Sequence, residues 1–112
     1  MAIKTVNITE LAKIERSSGK VYPAGCTLIQ VSATNGQVLY HVEEAEVPAK
    51  YAVVTANDKV LPKYLYHMIS FRADAFFHAI QTGMNIQIDS LSEMKLKIHT
   101  NLEKQAEIVR NL

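Results

Sequence analysis

Apolar residues recur at helical spacing in the second half of the chain, and no other pattern constrains the fold as much. Five of them stand at i, i+3, i+4, i+7 and i+8 and so share one helix face: Leu61, Tyr64, Leu65, Met68 and Ile69. Pro62 suits the first turn, where its missing N–H is not needed. The pattern continues to Ile80, and Gly83 is a typical residue just after a helix. We expect either two helices broken near residues 70–72 or one kinked helix.

The first half of the chain favours antiparallel strands. Residues 51–55 (YAVVT) are rich in β-branched and aromatic side chains and predict a buried strand. Asn35 and Gly36 are a strong signal for a two-residue hairpin turn. This turn would join residues 28–32 to residues 37–42 as a pair of neighbouring strands.

Three shorter elements are also predicted. Residues 10–13 favour a helical turn, with Asn7 or Thr9 as its cap. Residues 21–24 are short and extended, because Pro23 favours a bend or a sheet edge. Residues 86–88 alternate between apolar and polar side chains, which indicates a short strand.

The C-terminal segment predicts a strand followed by a capped helix. Residues 95–98 alternate between lysine and an apolar side chain, as a half-buried strand does. Thr100 and Glu103 have the spacing of a capping box, so a helix should begin at residue 101. Together these elements predict a compact α+β domain with a mixed, mostly antiparallel sheet, two central helices and a C-terminal helix.

The C-terminal helix would carry an apolar stripe that needs a partner. The stripe is formed by Leu102, Ala106, Val109 and Leu112. Within one chain these side chains could dock on Phe76 and Phe77. Alternatively they pair with a second copy, because twofold symmetric dimers are the commonest oligomers.

Composition limits the classes of function. The chain has 112 residues, fits one domain and has a formal net charge of +1, so any nucleic-acid binding must come from a local patch or be shared with a partner. Its single cysteine, Cys26, stands in an apolar run and is expected to be buried. We see no leader sequence and no apolar run long enough for a bilayer, and we expect an intracellular, cytoplasmic protein with no membrane contact.

No catalytic constellation stands out, and we expect no enzyme activity, metal or cofactor. The acidic residues Glu43, Glu44 and Glu46 with Lys50 could suggest a magnesium-dependent nuclease, but a solvated acidic loop explains them better. The sequence has no glycine-rich phosphate loop and no recognisable nucleophile motif.

Several segments, in order, resemble the target-recognition domain of a type I restriction–modification specificity subunit. These segments are VNITELAKIERSSGKVYPAG (6–25), CTLIQVSATNGQV (26–38), VLPKYLYHMI (60–69), TGMNIQIDSLSEMKLKI (82–98) and LEKQAEIV (102–109). The resemblance implies that residues 1–100 form a recognition domain and that residues 101–112 begin the family's conserved helix.

The resemblance also implies a function. Such subunits bind a split double-stranded DNA target, have no catalysis of their own, and deliver methyltransferase and restriction subunits to DNA. This chain would be one half of such a subunit or a fragment of it, and a homodimer is a natural arrangement. The alternative is a protein-interaction module that binds methyltransferase or specificity subunits without reading DNA.

Side-chain type and loop position suggest which residues would contact DNA. Lysine and arginine can hold phosphates, whereas asparagine and glutamine can read base edges. The expected phosphate contacts are Lys20, Lys50, Lys63 and Arg72. The residues expected near base edges are Ser32, Thr34, Asn35, Gln37 and Tyr51. For Asn35 a role in the hairpin turn, and for Tyr51 packing at the edge of the core, are the competing interpretations.

Overall fold

The computed structural model describes residues 3–31, 37–80 and 88–112, and for residues 74 and 78–80 it describes the backbone alone. The strands are β1 (Ile3–Asn7), β2 (Ala12–Arg16), β3 (Val21–Tyr22), β4 (Thr27–Gln30), β5 (Val38–Tyr40), β6 (Ala45–Glu46), β7 (Tyr51–Ala56) and β8 (Lys95–His99). The helices are α1 (Pro62–Ile80), α2 (Ile88–Leu91) and α3 (Leu102–Arg110), and a 3-10 turn spans Ile8–Glu10.

A four-stranded sheet in the order β2-β7-β4-β5 forms the centre of the molecule. Two further pairs, β1-β8 and β3-β6, flank it, and the pairings between described strands are antiparallel. The α+β class predicted from the sequence is confirmed. The strand predicted at residues 51–55 is β7, which pairs with both β2 and β4.

The central sheet is buried on both faces because successive side chains of a strand point to opposite sides. Ala52 and Val54 of β7 face a large core that α1 covers, whereas Tyr51 and Val53 face a smaller second core. The second core is completed by Tyr22, Cys26, Leu28 and Val47. We call residues 20–22 and 45–47, which contain the paired strands β3 and β6 and lie against this second face, the arm. Cys26 is buried there, as expected.

Helix α1 is continuous from Pro62 to Ile80, so the break predicted near residues 70–72 does not occur. No glycine or proline stands in that stretch, and Ala73, Phe76 and Phe77 continue the buried face begun by Tyr64. Apolar contact from Tyr64 to Phe77 therefore favours one helix. The predicted C-terminal residue Gly83 lies outside the described residues.

Three local predictions need correction. The helical turn spans Ile8–Glu10, not residues 10–13, because Ala12 already pairs with Ala56 in the sheet. Ile88 opens α2 and is not part of a strand, while residue 86 lies outside the described residues. The cap of α3 is Asn101, one residue later than predicted.

Asn101 caps α3 because its side-chain oxygen accepts a hydrogen bond from the backbone N–H of Lys104, at 3.0 Å. Gln105, Ile108 and Val109 turn inward on this helix, and Gln105 is fully buried. The helix therefore docks on its own domain. None of the helices that the structure describes is long and apolar enough to cross a membrane.

Candidate nucleic-acid interface

Four polar residues lie at one end of the central sheet, which we call the polar sheet end: Arg16, Gln30, Gln37 and Lys50. They lie there because neighbouring strands run antiparallel, so the last residues of β2 and β4 stand beside the first residues of β7 and β5. The backbone N–H of Gln30 donates to the carbonyl oxygen of Gln37 at 2.8 Å, and that of Val31 donates to the carbonyl of Lys50 at 2.9 Å.

Arg16 was not predicted as a site residue, yet it belongs to the polar sheet end. Its Nε donates a hydrogen bond of 2.6 Å to the carbonyl oxygen of Ala49, which holds the exposed guanidinium next to Lys50. The pairing of Arg16 with Ala52 places it there. No strand was predicted over Ala12–Arg16, so no signal in the sequence placed this cation beside Lys50.

Two of the predicted phosphate contacts stand over tyrosine rings of the second core. The Nζ atom of Lys50 lies 5.5 Å from the centre of the Tyr51 ring, and that of Lys20 lies 5.1 Å from the Tyr22 ring. Both lysines are exposed, whereas Tyr51 is only 9% exposed. The tyrosines therefore orient the cations by cation–π attraction, and Tyr51 has little surface left for a base edge.

Lys20 belongs to the arm, and a hydrogen bond ties this part of the chain to the approach to Lys50. The backbone N–H of Val47 donates to the carbonyl oxygen of Lys20 at 3.1 Å. The hydroxyl of Ser17 also donates to the Val47 carbonyl, at 2.6 Å, and is buried. The arm thus places Lys20 close in the fold to the segment that leads to the polar sheet end.

Lys63 lies at the opposite end of the sheet. Its Nζ stands 5.5 Å from the ring centre of Tyr40, which pairs with Thr27 at the start of β4. From Tyr40 an aromatic row runs through Tyr66, His67 and Phe71, with neighbouring ring centres 5.4, 5.0 and 6.3 Å apart. A surface centred on the polar sheet end does not include Lys63.

Arg72 occupies a third location, on α1 facing β8. Its guanidinium lies 5.7 Å from the centre of the Phe76 ring. The same side of the molecule carries Lys95 and Lys97, two exposed lysines that the sequence did not single out. The structure therefore brings together Lys50 and Gln37, with Lys20 nearby, and separates Lys63 and Arg72 from them. Residues 32, 34 and 35 lie outside the described part of the chain.

The predicted interface residues of the final helix also differ in position. Leu102 and Leu112 are 43% and 59% exposed, whereas Ala106 is half-buried and Val109 packs against the large core. One part of the apolar stripe thus packs against the domain's own core, and the other part is exposed to solvent.

One histidine near the aromatic row has a perturbed acidity. Burial lowers the pKa of His67 below its ordinary value, and the charge of Lys63, one helical turn earlier, lowers the pKa further. The neutral form of His67 is thereby favoured in the folded chain.

Carboxylates do not converge on a metal site in the described part of the chain. Glu43 and Glu44 are exposed, and Glu46 pairs with Val21 in the arm. No group of three or more histidine, cysteine, aspartate or glutamate residues within the described ranges is arranged to hold a metal ion.

Comparison with solved structures defines the fold: it is the fold of chains from type I restriction–modification systems. The chain matches the S subunit of such a system from M. genitalium with a TM-score of 0.82 over 98% of this chain, at 14% sequence identity. It also matches a chain from a structure on assembly and conformational transition of the type I R-M system, with a TM-score of 0.79 over 97% of this chain, at 16% identity. At these identities the similarity establishes the fold.

The match covers only part of each neighbour: 38% of the M. genitalium S subunit and 37% of the second chain. No family model matches the sequence, and no curated protein matches it. The fold expected from the resemblance in sequence is confirmed by the structural comparison.

Proposed function

We propose that this chain binds double-stranded DNA in a sequence-specific manner as half of a type I specificity subunit, without catalysis of its own. One observation carries the proposal: nearly the whole chain, 98%, shares the fold of an S subunit. The resemblance of the sequence segments to the recognition domain of that family points the same way. In this proposal residues 1–100 are the recognition domain and residues 101–112 begin the conserved helix.

The polar sheet end supplies suitable chemistry for a DNA surface. Arg16 and Lys50 can neutralise phosphates, and Gln37 can pair with a base edge. Ser32, Thr34 and Asn35 stand between β4 and β5 in the sequence, and we propose that they approach the bases beside Gln37. Lys20 extends the cationic surface along the arm.

The proposed role as half of a specificity subunit also implies protein partners. The chain covers 38% of the S subunit it matches, so a complete subunit would need a second recognition unit, from a second copy or from further chain. We propose that the assembled subunit works in the cytoplasm and docks the methyltransferase and restriction subunits on DNA. A homodimer is the simplest such assembly.

A salt titration of DNA binding tests the proposal. The logarithm of the affinity for a random duplex should fall linearly with the logarithm of salt concentration, because phosphate contacts release counterions. Lys50→Gln should reduce the magnitude of that slope by about 0.9, the contribution of one phosphate contact. Lys13→Gln is the matched control, since Lys13 is exposed near the other end of β2.

The proposal fails if the chain has no affinity for duplex DNA at low salt. It also fails if Lys13→Gln and Lys50→Gln change the slope equally, because binding would then reflect total charge and not the polar sheet end. Selection of a preferred sequence from a randomised duplex pool is the further result required for specific recognition.

The exposed ends of the C-terminal helix favour one alternative, a protein-interaction module that does not read DNA. Leu102 and Leu112 are large apolar side chains at the surface. A Leu102→Asp/Leu112→Asp double variant should block a complex with the methyltransferase subunit in size-exclusion chromatography. Val109 is a poor choice for this test, because it packs against the core and a charged replacement would also destabilise the domain. Complex formation by a chain with no affinity for DNA would favour the alternative.

A further inference from the structure

A groove of about 550 Å³ lies between α1 and β8, away from the polar sheet end. Its apolar surface comes from Met68 and Phe71 on α1 and from Leu96 on β8. Phe71 is 67% exposed, although a phenylalanine is normally covered in a folded domain. An apolar side chain of a binding partner would therefore gain contact area in this groove.

The groove is also strongly basic. Arg72, Lys95 and Lys97 line it, and the described lining residues include no carboxylate. In a chain whose formal net charge is +1, this concentration of three cations is a local feature. Charge complementarity thus requires an acidic occupant.

Strand β8 presents its second edge to this groove. Between the described strands, β8 pairs with β1 alone. The backbone N–H of His99 points away from β1 and donates to the Tyr64 hydroxyl of α1 at 3.0 Å. Because alternate residues of a strand direct their backbone groups to the same side, the N–H and C=O groups of Lys95 and Lys97 also point toward α1.

We propose that the groove between α1 and β8 binds an extended acidic segment of a partner protein. The segment lies along the β8 edge, where its backbone can add to the ladder, as in recognition by strand addition. Its carboxylates pair with Lys95, Lys97 and Arg72, and an apolar side chain covers Phe71.

Duplex DNA fits the groove less well than an acidic peptide does. A duplex presents phosphates and sugars on its outside and keeps its base faces stacked inside, so it offers no apolar group to Met68 and Phe71. A peptide can alternate carboxylate and apolar side chains at the spacing of a strand. This inference does not depend on DNA binding at the polar sheet end.

Fluorescence anisotropy with labelled peptides tests the proposal. The probe is an extended peptide in which glutamate alternates with leucine, and the control peptide replaces each glutamate by lysine. The acidic probe should bind the unaltered chain at low salt, and the basic peptide should not. Lys95→Gln/Lys97→Gln should weaken the acidic probe about tenfold, since each surface ion pair contributes only modestly.

Matched variants separate charge from apolar contact. Phe71→Ser should weaken the acidic probe, whereas Val42→Ser, at another exposed apolar site that is 75% exposed, should not. Lys13→Gln serves as the control for the lysine pair. Amide NMR spectra of each variant verify that the fold is retained.

Three results would overturn the proposal. The first is absence of binding of the acidic probe at low salt, and the second is equal affinity of the unaltered chain for the acidic and basic peptides. The third is that Lys95→Gln/Lys97→Gln loses duplex DNA binding while its affinity for the acidic probe is unchanged. The groove would then bind phosphates and not an acidic peptide. Lys50→Gln should affect duplex binding alone, so the two proposals can fail independently.

Discussion

The side-chain oxygen of Gln105, in α3, accepts a hydrogen bond of 2.9 Å from the backbone N–H of Leu61, the residue before α1. The amide nitrogen of the same side chain donates to the carbonyl oxygen of His99, at the end of β8, at 2.8 Å. Gln105 is fully buried, so these bonds are shielded from water. One glutamine thereby fastens the C-terminal helix to the start of α1 and to β8.

Replacing Gln105 by leucine should therefore destabilise the domain more than loss of a surface contact would. The leucine leaves the half-buried Leu61 N–H and His99 carbonyl without these partners, and each unpaired group of this kind costs up to about 1–3 kcal/mol. We expect the free energy of unfolding, measured in urea, to fall by about 2–4 kcal/mol.

Asn111→Ala is the control for Gln105→Leu. The Asn111 side chain also hydrogen-bonds on α3, to the carbonyl of Glu107 at 3.0 Å, but this bond is exposed. Its loss should change the free energy of unfolding by about 0.5 kcal/mol or less. Equal effects of the two variants would contradict the fastening role of Gln105.

Gly25→Ala should destabilise the chain through backbone strain. Gly25 has a φ of +99°, in the left-handed region, where a residue with a Cβ costs about 1–2 kcal/mol. An added Cβ would stand 3.6 Å from the Cβ of Pro62, an ordinary contact, so crowding should add little. Thermal or urea unfolding of the variant measures the loss.

Gly19→Ala separates these two causes. Gly19 has a φ of +85°, and an added Cβ meets nothing within 4 Å. If backbone strain dominates, the two variants should lose similar amounts of free energy of unfolding. A clearly larger loss for Gly25→Ala would show that Pro62 cannot accommodate the methyl group.

The pKa of His67 should lie below that of a free histidine in an NMR titration of its ring protons. Burial is the larger cause and Lys63 the smaller one, so Lys63→Gln should raise the pKa only part of the way back. A titration of His67 at or above its ordinary value of 6.5 would contradict this assignment.

The same shift makes stability depend on pH with a definite sign. Between the lowered pKa and 6.5 the unfolded chain binds more protons at His67 than the folded chain does. Stability from this group is thus fully present above pH 6.5 and is lost as the pH falls toward the folded pKa. His67→Gln should flatten this part of the stability profile relative to the unaltered chain.

The four predicted phosphate contacts should not contribute equally to DNA binding. Lys50 belongs to the polar sheet end, whereas Lys63 lies at the opposite end over Tyr40. We expect Lys50→Gln to reduce the salt slope by about one phosphate contact and Lys63→Gln to leave it nearly unchanged. If Lys63→Gln reduced the salt slope more than Lys50→Gln does, DNA would bind at the aromatic row and not at the polar sheet end.

Elements with a clear local periodicity were predictable from the sequence. The buried face of α1 and the strands β7 and β8 follow from spacing within a few residues. The strand β1 was not predicted, because its first three residues are exposed and only its pairing with β8 makes it a strand. Ile88 was assigned to a strand because apolar and polar residues alternate around it. Over so few residues, a single turn of helix can show the same alternation.

The candidate site was predictable only in part, because side-chain type and loop position do not show which residues the fold brings together. Lys50 and Gln37 were chosen by side-chain type and loop position, and the antiparallel order of the sheet brings them to one end. Lys63 and Arg72 satisfied the same criteria, but the direction of α1 carries them elsewhere. Arg16 could be found only after its strand was paired with β7.

The division of apolar contacts between two faces of one sheet has a consequence for cooperativity. The arm is fastened by the smaller cluster and by the Ser17 hydroxyl, whereas α1, α3 and β8 depend on the larger one. Local opening can therefore release the arm while β7 and β4 stay paired, so backbone amides there should exchange with solvent in separate steps. Lys20 would then belong to a lower-stability unit than Lys50 does, and a bound ligand could order that unit.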